Sequence, residues 1–431
     1  MRPGRGRVAV AVAASLLAVT AVSVVHPAPA AAAAANHFET LLFDGGGSEE
    51  LNGLTYHSFR IPSLVQTKNH TLLAFAEGRA VNNADYGNIN LVYKRSTDDG
   101  EHWSALKQVV GAGQGTWGNP TAVVDQSNGT IWVFMSWNPA DYSQHGSGDT
   151  TEITQWDQRK VYVSSSVDDG LSFSTPKDVT EAVKPKTRGV GTVWAWDAVG
   201  PGVGIQITTG EHAGRLVIPA ISRNIYSDDH GATWQVQLIT NKDNGNTMQG
   251  TSEATVLELT DGRLYRNDRA SAYWDKDVAA TKRRWVTRGT IEDGFDAYAT
   301  DNRLLDPQSE GSTMRYNLNA PARIVFLNSA STSLRTKMEL KISNDEAKTW
   351  TCYRTLNDAP LPSHTAAGWS GLGTGKVEEG GYSSIAKTND YHIGALVEVN
   401  ENTDSNSTSH RSIVFRKVNL PWVFAGPGTC S

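Results

Sequence analysis

The chain has 431 residues, 39% of them hydrophobic, enough to bury a large core. A net charge of −6 gives nucleic acid no broad basic face to hold. The two cysteines make no Cys/His array at metal-ligand spacing, and the 40 glycines, 13 Trp and 13 Tyr suit many short strands and turns.

The N-terminus reads as a processing segment. Arg2, Arg5 and Arg7 precede an apolar run over 8–25, and the alanine-rich stretch over 28–35 offers small-residue cleavage sites. This predicts a secretory signal peptide over 1–35, with a membrane anchor as the competing reading. The expected mature protein, 36–431, is secreted, extracellular, soluble and monomeric. In that compartment Cys352 and Cys430 either form one bridge or stay as separate thiols.

Beyond the leader, short alternating segments predict strands over 37–43, 59–66, 71–77 and 89–96, and the last of these runs into Ser96-Thr97-Asp98-Asp99-Gly100-Glu101-His102-Trp103. The pattern Ser-x-Asp-x-Gly-x-x-Trp returns at Ser166 with Phe173 as its aromatic, and complete at Ser227. It returns again at Ser343 with Ala347 in the glycine place. A period of about 60 residues ending in a turn and an aromatic is the mark of a radial repeat. Its chemistry is local: Ser and Asp bond turn amides, Gly takes a positive φ, and the aromatic enters the layer between sheets. Between 234 and 343 one copy is missing, and Trp285 stands in for its aromatic. A polar insert over 139–158 belongs at a rim. Later strands are expected over 252–259, 264–268, 322–328, 336–343, 382–388, 391–400 and 411–418, with a polar turn at 401–409 and no helices. The first strand is expected beside the last, closing a ring.

The sequence Phe59-Arg60-Ile61-Pro62 sets an arginine in an apolar strand, where its charge needs a partner. Gly200-Pro201-Gly202-Val203-Gly204 is not a phosphate loop, because neither Lys-Ser/Thr nor a helix follows.

The octets resemble the Asp boxes of the sialidase (neuraminidase) superfamily, and Phe59-Arg60-Ile61-Pro62 matches that family's Phe-Arg-Ile-Pro upstream of the first box. The resemblance covers most of 37–420. It implies an all-β fold, a six-bladed β-propeller with four-stranded antiparallel blades. It also implies a retaining exo-α-sialidase acting on sialylated glycans without a cofactor or metal. Alternatives are a KDN-preferring sialidase, a trans-sialidase and a sialic-acid-binding propeller without turnover.

The same resemblance assigns roles residue by residue. Arg60, Arg269 and Arg335 would grip the substrate carboxylate, with Arg266 the rival of Arg269, and Arg315 and Arg323 the rivals of Arg335. Planar guanidinium forks suit that task. Tyr382 would be the nucleophile and Glu253 its base; a neutral phenol meets less repulsion than a carboxylate at an anomeric carbon bearing a carboxylate. Asp85 would be the acid/base, Arg79 a pocket residue and Glu398 the support of Arg60. Among Trp117, Trp137, Trp156, Trp194 and Trp196, one or two would touch the sugar.

Overall fold

Alternating strands and glycine turns fold into antiparallel sheets along the whole chain. The computed structural model describes residues 34–431 except 112, 114, 189–190, 249–250, 272–275, 359–377, 401–409 and 431, together with Met1 and Gly4. The leader and the polar turn at 401–409 thus fall outside, or almost wholly outside, the described residues. Of two units, Met1–Ala34 and Ala35–Ser431, the second carries every described strand.

The terminal strands meet as expected. His37–Phe43 pairs antiparallel with His410–Val418, which continues through Ile393–Asn400 to Glu378–Lys387. Two further four-stranded sheets run from Ile205–Gln206 to Gln235–Leu238 and from Ser312–Asn317 to Cys352–Thr355. A five-stranded sheet starts at Thr251–Glu258 and includes Ala299–Leu305.

The remaining strands overturn one expectation. Apart from the separate pair Tyr142–Ser143 and Thr151–Glu152, those from Ser58–Gln66 to Lys177–Asp178 run together, with Gly202–Val203 added, as one nine-stranded sheet. The join is a parallel bridge between Ile89 and Thr116, and Gly202–Val203 pairs parallel with Thr121 and Ala122. The propeller therefore has four separate blades, three of four strands and one of five, beside this fused sheet. The expected six four-stranded blades are corrected accordingly. The antiparallel four-stranded sheet is as expected; the fusion is made by backbone bonds that no side-chain pattern announces. The expectation of no helices is also corrected, by short turns of helix at Thr180–Val183, Lys276–Ala280 and Leu420–Phe424.

The four octets fold alike. In each, the serine hydroxyl accepts the amide four residues on: Gly100 at 2.8 Å, Gly170 at 2.9 Å, Gly231 at 2.8 Å and Ala347 at 2.9 Å. The aromatics then bury between sheets, Trp103 against Phe415, Phe173 against Phe75 and Tyr93, Trp234 against Phe134, Trp350 against Phe326. Gly100 is required: a Cβ there would lie 2.1 Å from the Phe415 ring. Ala347 holds a positive φ of 58°, so the imperfect fourth copy keeps the turn at some strain. In the stretch without an octet, Trp285 stacks on Tyr298.

One device positions the site. Four strands break register at the cavity, between Arg60 and Ser63, Gly118 and Thr121, Thr251 and Ala254, and Glu379 and Ser383. The residues released from the ladder include Ile61, Asn119, Glu253 and Tyr382, all of which line the same cavity. A bulge frees a residue from pairing and re-aims its side chain.

Candidate active site

The cavity has a volume of about 410 Å³, and Arg60, Arg79, Asp85, Glu253, Arg269, Arg335 and Tyr382 all reach it. The chain thus gathers five of these groups from strands of three sheets, and Asp85 and Arg335 from loops, around one space. Glu398 lies beneath, fully buried.

Glu398 is the most heavily bonded group. It accepts Nε and Nη2 of Arg60, each at 3.1 Å, the Ile61 amide at 2.9 Å and the Tyr382 amide at 3.0 Å. Burial works to raise its carboxyl, but Arg60 and His410 outweigh that and hold it down at about 2. Ile61 has a positive φ of 60°, a costly backbone for a β-branched residue. The bond from its amide to Glu398 holds that conformation in place.

Tyr382 sits between charges. Its hydroxyl donates to Glu253 Oε1 and accepts from Arg269 Nη1 at 2.7 Å; the same nitrogen donates to Glu253 Oε2 at 2.6 Å. The guanidinium carbons of Arg60 and Arg335 lie 5.3 and 5.2 Å from the ring centroid. Burial pushes the phenol up, and the negative charge of Glu253 adds to it; Arg269 opposes. A free phenolate is therefore disfavoured.

The Gly380-Gly381 pair explains the approach. A Cβ on Gly380 would meet the Arg335 carbonyl at 1.8 Å, and one on Gly381, at φ 119°, would meet Glu398 Oε2 at 2.4 Å. Only glycine lets the Arg335 backbone abut the bulge that carries Tyr382. Arg335 itself donates to the Gln308 carbonyl at 3.2 Å, and no carboxylate pairs with it among the described residues.

Asp85 stands opposite on an exposed loop, with its side chain 73% exposed. Its Oδ1 lies 2.8 Å from Arg79 Nη1 and 3.3 Å from Arg60 Nη1. Partial desolvation at the cavity opposes, but Arg79 and Arg60 hold this carboxyl well below the usual carboxylate range. Arg79 is in turn fixed by Glu77, with bonds of 3.1 and 2.6 Å.

The rival arginines lie elsewhere. Arg266 is fully buried on Asp268, Asn224 and backbone carbonyls; Arg315 pairs with Glu346 and the Glu258 carbonyl; Arg323 lies over Phe424. Of the five tryptophans only Trp196 lines the cavity. Trp117 and Trp137 pack on Tyr162, Trp194 is buried on Asp197, and Trp156 bonds the Pro185 carbonyl.

Sequence reasoning missed two charged groups in the cavity, Glu77, which fixes Arg79, and Arg159. Arg159, at the end of the polar insert, is 2% exposed, stacks 3.9 Å from the Trp196 centroid, and donates to Asn119 Oδ1 at 2.5 Å and to the Asp197 carbonyl at 2.5 Å. Burial pushes its guanidinium down to about 10. The sequence offers only an arginine directly before Lys160–Ser166, without the apolar neighbours on both sides that single out Arg60. Cys352 and Cys430 are bridged, which settles the alternative left open by the sequence.

Fold and site together describe a β-propeller with a cavity lined by several arginines and a tyrosine–glutamate pair. Comparison with known proteins agrees. A family model described as "BNR repeat-like domain" matches residues 70–396. An exo-alpha-sialidase of Aspergillus fumigatus is 45% identical over 397 residues, covering 87% of each chain. One from Arthroderma benhamiae is 44% identical over 395 residues, 87% of this chain and 86% of that one. An intramolecular trans-sialidase from Ruminococcus gnavus, 17% identical, superposes with a TM-score of 0.66 over 90% of this chain and 99% of that chain, a likeness of fold alone. The chain belongs to the exo-α-sialidase family of BNR-repeat propellers.

Proposed function

We propose that this protein is a retaining exo-α-sialidase that releases terminal α-linked sialic acids from glycans. The observation that carries the reading is the Tyr382–Glu253 hydrogen bond within a ring of Arg60, Arg269 and Arg335. In this reading the three guanidiniums bind the substrate carboxylate and offset its desolvation. Tyr382 Oη attacks the anomeric carbon as its proton passes to Glu253. The bond to the aglycone oxygen breaks, and Asp85 gives that oxygen its proton. Asp85 then takes a proton from water, the water attacks the anomeric carbon, and the Tyr382–sugar bond breaks. Tyr382 recovers its proton from Glu253, and retention follows from two displacements.

Asp85 rests on Arg60 and Arg79 in the free enzyme, so it is not yet an acid. A substrate carboxylate arriving at Arg60 neutralises that charge and adds its own, which raises Asp85 toward a proton donor. Arg79 keeps it in reach, and Glu398 holds Arg60. We also propose that residues 1–35 are an export signal and 36–431 the secreted catalytic domain; N-terminal sequencing of the exported protein tests this.

The test of function is hydrolysis of 4-methylumbelliferyl α-sialosides of N-acetylneuraminic acid and KDN, followed by proton NMR. Release of the α-anomer first, and loss of turnover in Tyr382→Phe, support the reading. Release of the β-anomer first, or unchanged turnover in that variant, contradicts it.

A further inference from the structure

A third carboxyl lies under the nucleophile segment and has no part in the steps above. Glu310 is 3% exposed, and its Oε2 accepts the Ser383 amide at 2.9 Å. The Tyr382 amide next to it goes to Glu398. Register breaks between Glu379 and Ser383 and resumes at Ser383 opposite Val397, and at this step two acidic side chains hold the consecutive amides of Tyr382 and Ser383.

We propose that Glu310 is a positioning residue for the sialidase reaction: it fixes the Tyr382 phenol against Glu253 by holding the Ser383 amide. The inference rests on the nucleophile reading of Tyr382.

The surroundings say in which form it acts. No ion pair reaches Glu310 among the described residues; Arg284, the near cation, is spent on Asp306, Asn267 and the Ser309 carbonyl. The charged groups facing it are Glu253 from Thr251–Glu258, Glu398 from Ile393–Asn400 and Arg284 from Arg283–Thr290. Burial pushes the Glu310 carboxyl well above its usual range. The Ser383 bond opposes this, and Glu253 and Glu398 reinforce it. A buried carboxylate beside two others costs far more than the neutral acid. The neutral acid is thus the favoured form of Glu310, which accepts an amide while adding no charge beside Glu253 and Glu398. Its ionisation at high pH would set a third negative charge beside Glu253 and loosen the segment.

The variants Glu310→Gln and Glu310→Leu are compared with wild type and Tyr382→Phe for kcat, KM, melting temperature and pH profile. Glutamine keeps a neutral acceptor, leucine only the volume. The expected result is that Glu310→Gln stays within about threefold of wild type and holds its kcat to higher pH. Glu310→Leu should lose about 100-fold in kcat with KM little changed, the scale of a misplacement of about 1 Å at the reacting atom. Equal losses in the Gln and Leu variants, or a Gln profile identical to wild type on the alkaline side, would overturn the proposal. If the Leu variant does not fold, the Gln profile alone decides. Tyr382→Phe separates the two readings: if it keeps turnover, the nucleophile assignment fails; if it loses turnover and the Gln variant behaves otherwise than expected, only the Glu310 inference fails.

Discussion

Glu398 ties Arg60 to Tyr382: one buried carboxylate takes two bonds from the guanidinium at 3.1 Å and one from the tyrosine amide at 3.0 Å. Strands at opposite ends of the chain are thereby locked in register at the cavity. In the proposed mechanism, carboxylate binding and nucleophile placement therefore depend on the same group. Glu398→Gln keeps the volume and breaks the charge pair. It should lower kcat/KM by about 100-fold through displacement of reacting groups. Leaving Arg60 buried without its counter-charge should cost about 3–5 kcal/mol of stability. Steady-state kinetics and denaturant unfolding check the two effects.

The same cluster sets the acid limit of the fold. Glu398 is held down at about 2, below its unfolded range near ~4.3, so its contribution is present above that range. It is lost as pH falls toward 2. His410, pushed down to about 3 by burial, is neutral in the fold, while the unfolded chain protonates it below ~6.5. Both effects run the same way: melting temperature should fall steadily from pH 6.5 to 3. His410→Gln should flatten the upper part of that slope, with the Glu398 part remaining.

In the proposed mechanism Asp85 acts on the leaving group alone in the first step. Asp85→Ala should keep appreciable hydrolysis of aryl sialosides with acidic phenols, which leave without a proton. It should lose about 100-fold or more on alkyl and glycan-linked substrates, the usual size of general acid catalysis. A series of leaving groups of graded pKa measures this: the slope of log(kcat/KM) against leaving-group pKa should steepen in the variant.

The Cys352–Cys430 bridge closes a loop with a sequence separation of 78, tying the C-terminal tail to the strand Cys352–Thr355. Chain-entropy reasoning gives such a loop about 4–5 kcal/mol. The double variant Cys352→Ser/Cys430→Ser should show a clear drop in melting temperature. Its KM should be unchanged, because neither cysteine lines the cavity.

Much of this was legible in the sequence because its signals are local. The octets announce themselves by a serine, an aspartate and an aromatic at fixed offsets. Arg60 announces itself as a charge inside Phe59-Arg60-Ile61-Pro62. Closure between 37–43 and 411–418 followed from a spare strand at each end. The fused nine-stranded sheet was not legible, since the Ile89–Thr116 bridge involves backbone alone. Nor was Arg159, whose partners Asn119 and Trp196 lie far away along the chain. Glu310 was passed over for the same reason: its partner, the Ser383 amide, is 73 residues away. Bulges that aim Glu253 and Tyr382 depend on pairing with neighbouring strands, and alternation alone does not reveal a break in register.

The central claim is that the Tyr382 oxygen forms the bond to the sugar. It is tested most directly by incubating the enzyme with a 2,3-difluorinated sialic acid, whose 3-fluorine slows the second displacement, and sequencing the labelled peptide by mass spectrometry. The account predicts one sugar adduct, on Tyr382, that disappears on standing as turnover completes. An adduct on Glu253 or any other side chain, with Tyr382 unmodified, would contradict it.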